Sequence, residues 1–176
     1  MLLIQMTGLS GSGKTTIAYG AKDFLETAGF KTEVIDGDEF RKHLCSDLSF
    51  SKSDRIENIK RLGIVANLLA RNGVITILAT INPFEESRLA IGQYGDHVKV
   101  VWLNCPLEVL IDRDTKGLYR RALLCDDHPD KVFNLSGIND RYEPPVWFDL
   151  ELKTDVPYIS ECIKNLVDFI LTTINK

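Results

Sequence analysis

Nine consecutive residues, Gly8-Leu9-Ser10-Gly11-Ser12-Gly13-Lys14-Thr15-Thr16, constrain this chain more than any other segment. An apolar run, Leu2-Leu3-Ile4-Gln5-Met6, precedes them, and a helix is predicted over 15–28. Strand, glycine-rich loop, Lys-Thr and helix in that order form a phosphate-binding loop. The glycines let the backbone curl so that its N–H groups face the oxygens of a triphosphate, and the helix adds its positive end. Lys14 has the reach for the β- and γ-phosphates, and the Thr15 hydroxyl suits a magnesium ligand. The chain is therefore expected to bind ATP or GTP.

A length of 176 residues suits one domain spanning 1–176, with a real core. No apolar run approaches the ~20 residues needed to cross a membrane. No charged, signal-length segment precedes Gly8, so a cytoplasmic protein and no membrane partner are expected. The net charge of −4 argues against a general nucleic-acid binder, which carries a basic surface. Cys45, Cys105, Cys125 and Cys162 contain no Cys-x-x-Cys pair, and His43, His97 and His128 have no metal-ligand spacing.

Along the chain, β-rich runs alternate with helical patterns. Strands are predicted at 2–6, 32–35, 74–79, 98–103 and 148–152, and helices at 15–28, 53–72, 106–113 and 159–174. This alternation implies a three-layer α/β/α fold of the phosphate-loop type, with a mainly parallel sheet. Residues 114–146 are polar and broken by Gly117, Pro129, Gly137, Pro144 and Pro145, and are expected to form a mobile lid.

Asp36-Gly37-Asp38 follows the second strand, where ligands gather in open α/β sheets. These carboxylates can hold magnesium or take a proton from an acceptor hydroxyl, although Asp-Gly is also a turn signal. Arg41 and Arg55 suit an oxyanion partner, the alternative being surface ion pairs, and Asn58 shares a helical face with Arg55. Arg113, Lys116, Arg120 and Arg121 form a basic patch at the start of the excursion, as a lid closing over a transferring phosphoryl group requires.

Taken together, these segments resemble the adenylylsulfate kinase family. The resemblance is carried by the loop 8–16, Asp36-Gly37-Asp38, Arg41, Phe50-Ser51, Asp54-Arg55-Ile56-Glu57-Asn58, Ile81-Asn82-Pro83, Arg113-Asp114-Thr115-Lys116-Gly117-Leu118-Tyr119, Gly137-Ile138, Tyr142-Glu143 and Lys153-Thr154-Asp155. It implies transfer of the ATP γ-phosphoryl to the 3′-hydroxyl of adenosine 5′-phosphosulfate, with Mg2+ as cofactor. Gly11, Ser12, Gly13, Lys14, Thr15 and Thr16 would then hold the phosphates, and Arg113 and Pro157 would complete the ATP site. Lys14, Asp38 and Asp36 would be catalytic, with Thr15 and Asp36 at the metal. Arg41, Arg55 and Asn58 would grip the acceptor, Phe50 would stack on its adenine, and Ile81, Asn82, Lys116 and Leu135 would close its pocket. A homodimer is the assembly the resemblance suggests.

Three positions depart from the family pattern. Asn82 stands where the family often has serine, so no phosphoenzyme can form there and direct in-line transfer is expected. Leu135 replaces a phenylalanine of an aromatic clamp, which removes a stacking contribution of ~0.5–1.5 kcal/mol. The segment between Tyr119 and Leu135 is longer than usual and acidic. These departures motivate an alternative, a kinase of the same fold acting on another nucleotide-linked or small phosphorylated acceptor. A nucleotide-binding switch without transfer activity is disfavoured, because no Asn-Lys-x-Asp guanine-reading motif is present.

Overall fold

The computed structural model describes residues 1–155 and 158–175. At its centre lies β1 (Leu3–Thr7), buried at every position. On one side β1 pairs with β3 (Ile75–Ala79), and β2 (Thr32–Asp36) lies beyond it. On the other side come β4 (Val98–Asn104) and then β5 (Leu150–Lys153), giving the order β2-β3-β1-β4-β5. All four pairings are parallel. Central strands covered on both faces are predominantly apolar, as in Ile75-Thr76-Ile77-Leu78-Ala79. The edge strand β5 is only half-buried.

Alternation along β1 sorts the two cores. Ile4 and Met6 join Ile17, Ala18, Ala21 and Leu25 of α1 (Lys14–Thr27) and Cys162, Leu166 and Ile170 of α7 (Ile159–Ile174). Leu3 points the other way, to Ile59, Leu62, Ala66 and Ala70 of α3 (Lys52–Arg71) and Ile91 of α4 (Glu85–Gly92). The α/β/α layering expected from the sequence is therefore present. No described helix is long and apolar enough to cross a membrane.

Three local features differ from the sequence reading. Asp36-Gly37-Asp38 is not a free turn: it opens α2 (Gly37–Leu44), with the Asp36 carboxylate accepting from the backbone N–H groups of Asp38 and Glu39 at 2.9 and 3.3 Å. An aspartate that closes a turn and one that caps a helix use the same hydrogen-bond chemistry, so the dipeptide alone did not distinguish them. The helix α4 is not among the helices predicted from the sequence. Within 114–146, α6 (Leu118–Ala122) follows α5 (Leu107–Arg113), and Tyr119, Ala122 and Leu135 are buried with Leu110 and Cys105 in a third apolar cluster. The polar composition of that segment concealed its anchor residues.

Every strand delivers its carboxyl end to the same rim. After β1 the chain builds β2 and β3 on one side, then crosses to build β4 and β5 on the other. The loop after β1 thus stands at the topological switch point, where open parallel sheets bind ligands.

Candidate active site

A cleft of about 750 Å3 opens along this rim. Gly11, Ser12, Gly13, Lys14, Thr15, Thr16, Asp36, Asp38, Arg41, Phe50, Arg55, Asn58, Ile81, Asn82, Arg113, Lys116 and Leu135 all line it. Of the residues anticipated from sequence, Pro157 lies outside the described residues.

The phosphate loop is shaped by its backbone. Gly13 takes φ 90°, a left-handed conformation that only glycine adopts without strain, and α1 starts at the next residue. Lys14 Nζ folds back on the loop and donates to the carbonyls of Gly8 (2.8 Å) and Leu9 (2.7 Å). Burial lowers its pKa to about 7, Lys116 adds to that shift, and Asp38 and Asp36 oppose it. The buried Tyr119 hydroxyl donates to the Ser10 carbonyl at 2.8 Å, tying α6 to the loop. The Thr15 hydroxyl donates to Asp36 Oδ2 at 2.7 Å, so both groups share the cleft floor. A hydroxyl beside a carboxylate is a hard-oxygen donor set that fits magnesium, which takes one or two protein oxygens together with phosphate oxygens.

Toward β4 and β5, Arg113 Nη1 donates to the Thr154 carbonyl at 2.7 Å, and Ile159 and Cys162 add apolar lining. Toward β2 and β3, α2 presents Asp38, whose Oδ2 meets Lys116 Nζ at 2.6 Å across the cleft mouth. Arg41 stands 4.4 Å over the Phe50 ring and donates to the carbonyls of Leu48 and Ser49. Arg55 donates through Nε to the Phe50 carbonyl (3.0 Å) and through Nη1 to Ser136 Oγ (3.2 Å), and it pairs with Asp140 at 2.8 Å. Its burial pulls the guanidinium pKa down, with Asp140 opposing. Both guanidiniums are thus engaged by the protein as well as facing the cleft.

Asn82 has φ 43°, a conformation asparagine tolerates better than most residues. Its amide is buried, donating to Gln5 Oε1 at 3.2 Å and accepting from Ser87 Oγ at 2.6 Å. Asn82 therefore shapes the loop after β3, and the cleft wall there is made with the neighbouring Ile81.

The basic patch read from the sequence divides in two. Arg113 and Lys116 line the cleft; Arg120 and Arg121 do not, and Arg121 Nε donates to the Asp130 carbonyl instead. Arg113 ends α5 and Lys116 precedes α6, whereas Arg120 and Arg121 lie within α6, which the buried Tyr119 anchors. Sequence reasoning gave no role in the site to Thr80, Thr154, Asn134 or Ser136, which line the cleft. The buried hydroxyls of Thr80 and Thr154 have no hydrogen-bond partner among the described residues. Thr80 and Thr154 follow the ends of β3 and β5, a positional signal that was available; Asn134 and Ser136 had none.

Comparison with known proteins agrees with this geometry. The family model for adenylylsulphate kinase matches residues 1–153. An adenylyl-sulfate kinase of Chloroflexus aurantiacus is 43% identical over 94% of this chain and 87% of its own length. One from Rippkaea orientalis is also 43% identical, over 93% of this chain and 87% of its own. Among solved structures, the Mycobacterium tuberculosis APS kinase CysC in complex with AMPPNP and APS superposes with a TM-score of 0.88 at 34% identity, covering 96% of both chains. With the phosphate loop, the Asp36–Asp38 helix start and the Phe50–Asn58 wall in one cleft, this chain belongs to the adenylylsulfate kinase family.

Proposed function

We propose that the cleft transfers the γ-phosphoryl group of ATP to the 3′-hydroxyl of adenosine 5′-phosphosulfate, giving ADP and 3′-phosphoadenylylsulfate. The observation that carries this reading is the meeting of Lys14 and Thr15 with Asp36, Asp38 and Lys116 in one cleft. ATP lies with its phosphates in the loop 8–16 and its base toward Arg113 and Thr154. The acceptor lies against α2 and α3, with its adenine at Phe50 and Leu135 and its hydroxyl at Asp38.

In this mechanism Asp38 aims the acceptor hydroxyl at the γ-phosphorus and takes its proton as the new oxygen–phosphorus bond forms, while the bond to the β,γ-bridging oxygen breaks and ADP leaves. Lys116 leaves Asp38 as the acceptor enters and meets the charge on the transferring group. Lys14 stabilises the oxygens that carry charge in the transition state. Thr15 and Asp36 would hold magnesium, which neutralises charge on the phosphates when bound. Asn82 offers no hydroxyl and its amide is engaged by Gln5 and Ser87, which supports direct transfer over a phosphoenzyme. Residues 114–146 act as a lid that excludes water during transfer.

The test is ADP release with magnesium-ATP, comparing adenylylsulfate, AMP and other nucleotide acceptors, with products identified by mass. One 3′-phosphorylated adenylylsulfate per ADP is expected. Silence with adenylylsulfate and turnover of another acceptor would replace this reading with that of a same-fold kinase, for which the aliphatic Leu135 wall is the motivating feature.

A further inference from the structure

Arg55 is 8% exposed and carries five N–H donors on a rigid fork. That fork reaches two walls of the cleft at once. Nε binds the carbonyl of Phe50, on the loop leading into α3. Nη1 and Nη2 bind Ser136 Oγ and the Asn134 carbonyl (2.5 Å), on either side of Leu135. The remaining partner is Asp140, paired with Nη2 at 2.8 Å. Asp140 does not line the cleft itself.

A tight fold returns Asp140 to that position. Gly137 N–H donates to the Asp140 carbonyl at 2.8 Å, and the Asn139 side chain accepts from Leu135 N–H at 2.8 Å. Gly137 takes φ 91°, and a Cβ there would stand 2.7 Å from Leu9 of the phosphate loop. The segment 134–140 is thus a stiff roof, seated on the phosphate loop at one point and hung from α3 by Arg55. A buried guanidinium that loses its counter-charge reorients toward water, because an unpaired charge is costly to keep inside.

We propose that Asp140 is a positioning residue for the acceptor: through Arg55 it holds the Leu135 and Phe50 walls at the separation that receives the acceptor's planar base. The inference rests on the assignment of that side of the cleft to the acceptor. None of the Arg55 contacts reaches Arg113, Thr154 or Ile159. The clasp therefore bears more on the acceptor than on the donor nucleotide, whose loop meets the roof at Leu9, and that asymmetry distinguishes the role from general stabilisation.

The experiment measures initial rates with both substrates varied for wild type, Asp140→Asn, Asp140→Glu and Ser136→Ala. Asp140→Asn is expected to raise the acceptor KM by about tenfold, since small misplacements of a binding group cost this much or more. KM for ATP and kcat stay within about twofold, and Asp140→Glu recovers most of the loss. Ser136→Ala, which removes one bond and leaves the ion pair, shifts the same KM in the same direction and serves if Asp140→Asn does not fold. An unchanged acceptor KM, or equal rises in both KM values, overturns the proposal. If wild type ignores adenylylsulfate but phosphorylates another acceptor, the functional reading fails and the same split is measured with that acceptor. A wild type that phosphorylates nothing overturns both.

Discussion

In the proposed reading, the donor's phosphates meet nine consecutive residues, whereas the acceptor side is assembled by side chains from α2, α3, the loop after β3 and the roof at 134–140. On the donor side the binding groups are backbone N–H groups held by glycine conformations. On the acceptor side they are long side chains whose direction depends on partners up to 81 positions away, as in the contact of Arg55 with Ser136. A backbone cradle tolerates change elsewhere in the molecule; a side-chain cradle is only as well placed as its supports. The donor half should therefore fail at single residues and the acceptor half by degrees.

The largest effects, similar in size, are expected at Lys14 and Asp38, beginning with Lys14→Ala. Losing the positioned cation should lower kcat by ~10²–10³-fold with a smaller change in nucleotide affinity, as for removal of other transition-state donors. Equal kcat in mutant and wild type would show that the loop binds without assisting transfer. Asp38→Asn comes next. General-base and orienting residues contribute ~10²–10⁴-fold, and the amide should lose most of that while leaving ATP affinity within a few-fold. Single-turnover rates against ATP titrations would separate the two, and a pure rise in KM for ATP would reassign Asp38 to the donor half.

Gly137→Ala tests the roof. At φ 91° with Leu9 in the way, the added methyl should cost about 1–3 kcal/mol of stability. Thermal unfolding would register it, and an undisturbed Tm would mean that the roof moves freely on Leu9.

Protonation offers a smaller, donor-specific signal. In the free protein burial, aided by Lys116, holds the Lys14 pKa at about 7 against the opposing Asp38 and Asp36. Bound phosphates favour the protonated lysine and raise that pKa. Above pH 7 nucleotide binding must then take up a proton, and affinity falls as pH rises from 7 toward 9. Calorimetry in buffers of different ionisation enthalpy measures the uptake; no uptake at pH 8 would place the charged lysine already in the free loop. The smallest change is expected from Leu135→Phe, where a stacking gain of ~0.5–1.5 kcal/mol would lower the acceptor KM by two- to tenfold with ATP unaffected. A rise instead would show that the Leu135 pocket has no room for a ring.

Much of the site was legible before the fold was known, because its residues follow the ends of strands that periodicity alone located. Asp36, Asp38, Ile81 and Asn82 come immediately after such strands, and Lys14 and Thr15 close the loop after the first. What those residues do beside the ligand was less legible. Asp36 caps α2 as well as meeting Thr15, Asn82 shapes a turn through Gln5 and Ser87, and Arg41 and Arg55 bond to protein carbonyls. Each of these second duties depends on a partner whose proximity no local pattern encodes.

The sequence by itself determined the phosphate cradle and the parallel α/β architecture, since glycine positions, strand runs and helical periodicity act over a few residues each, and its ordered motifs carried the family resemblance. Only the tertiary structure decided that a polar, glycine- and proline-broken segment folds back on Tyr119 and Leu135, divides the basic patch, and hangs from Arg55 through Asp140. Those outcomes come from burial and charge pairing between distant segments, where the gain appears only once the sheet has brought both partners to the same rim.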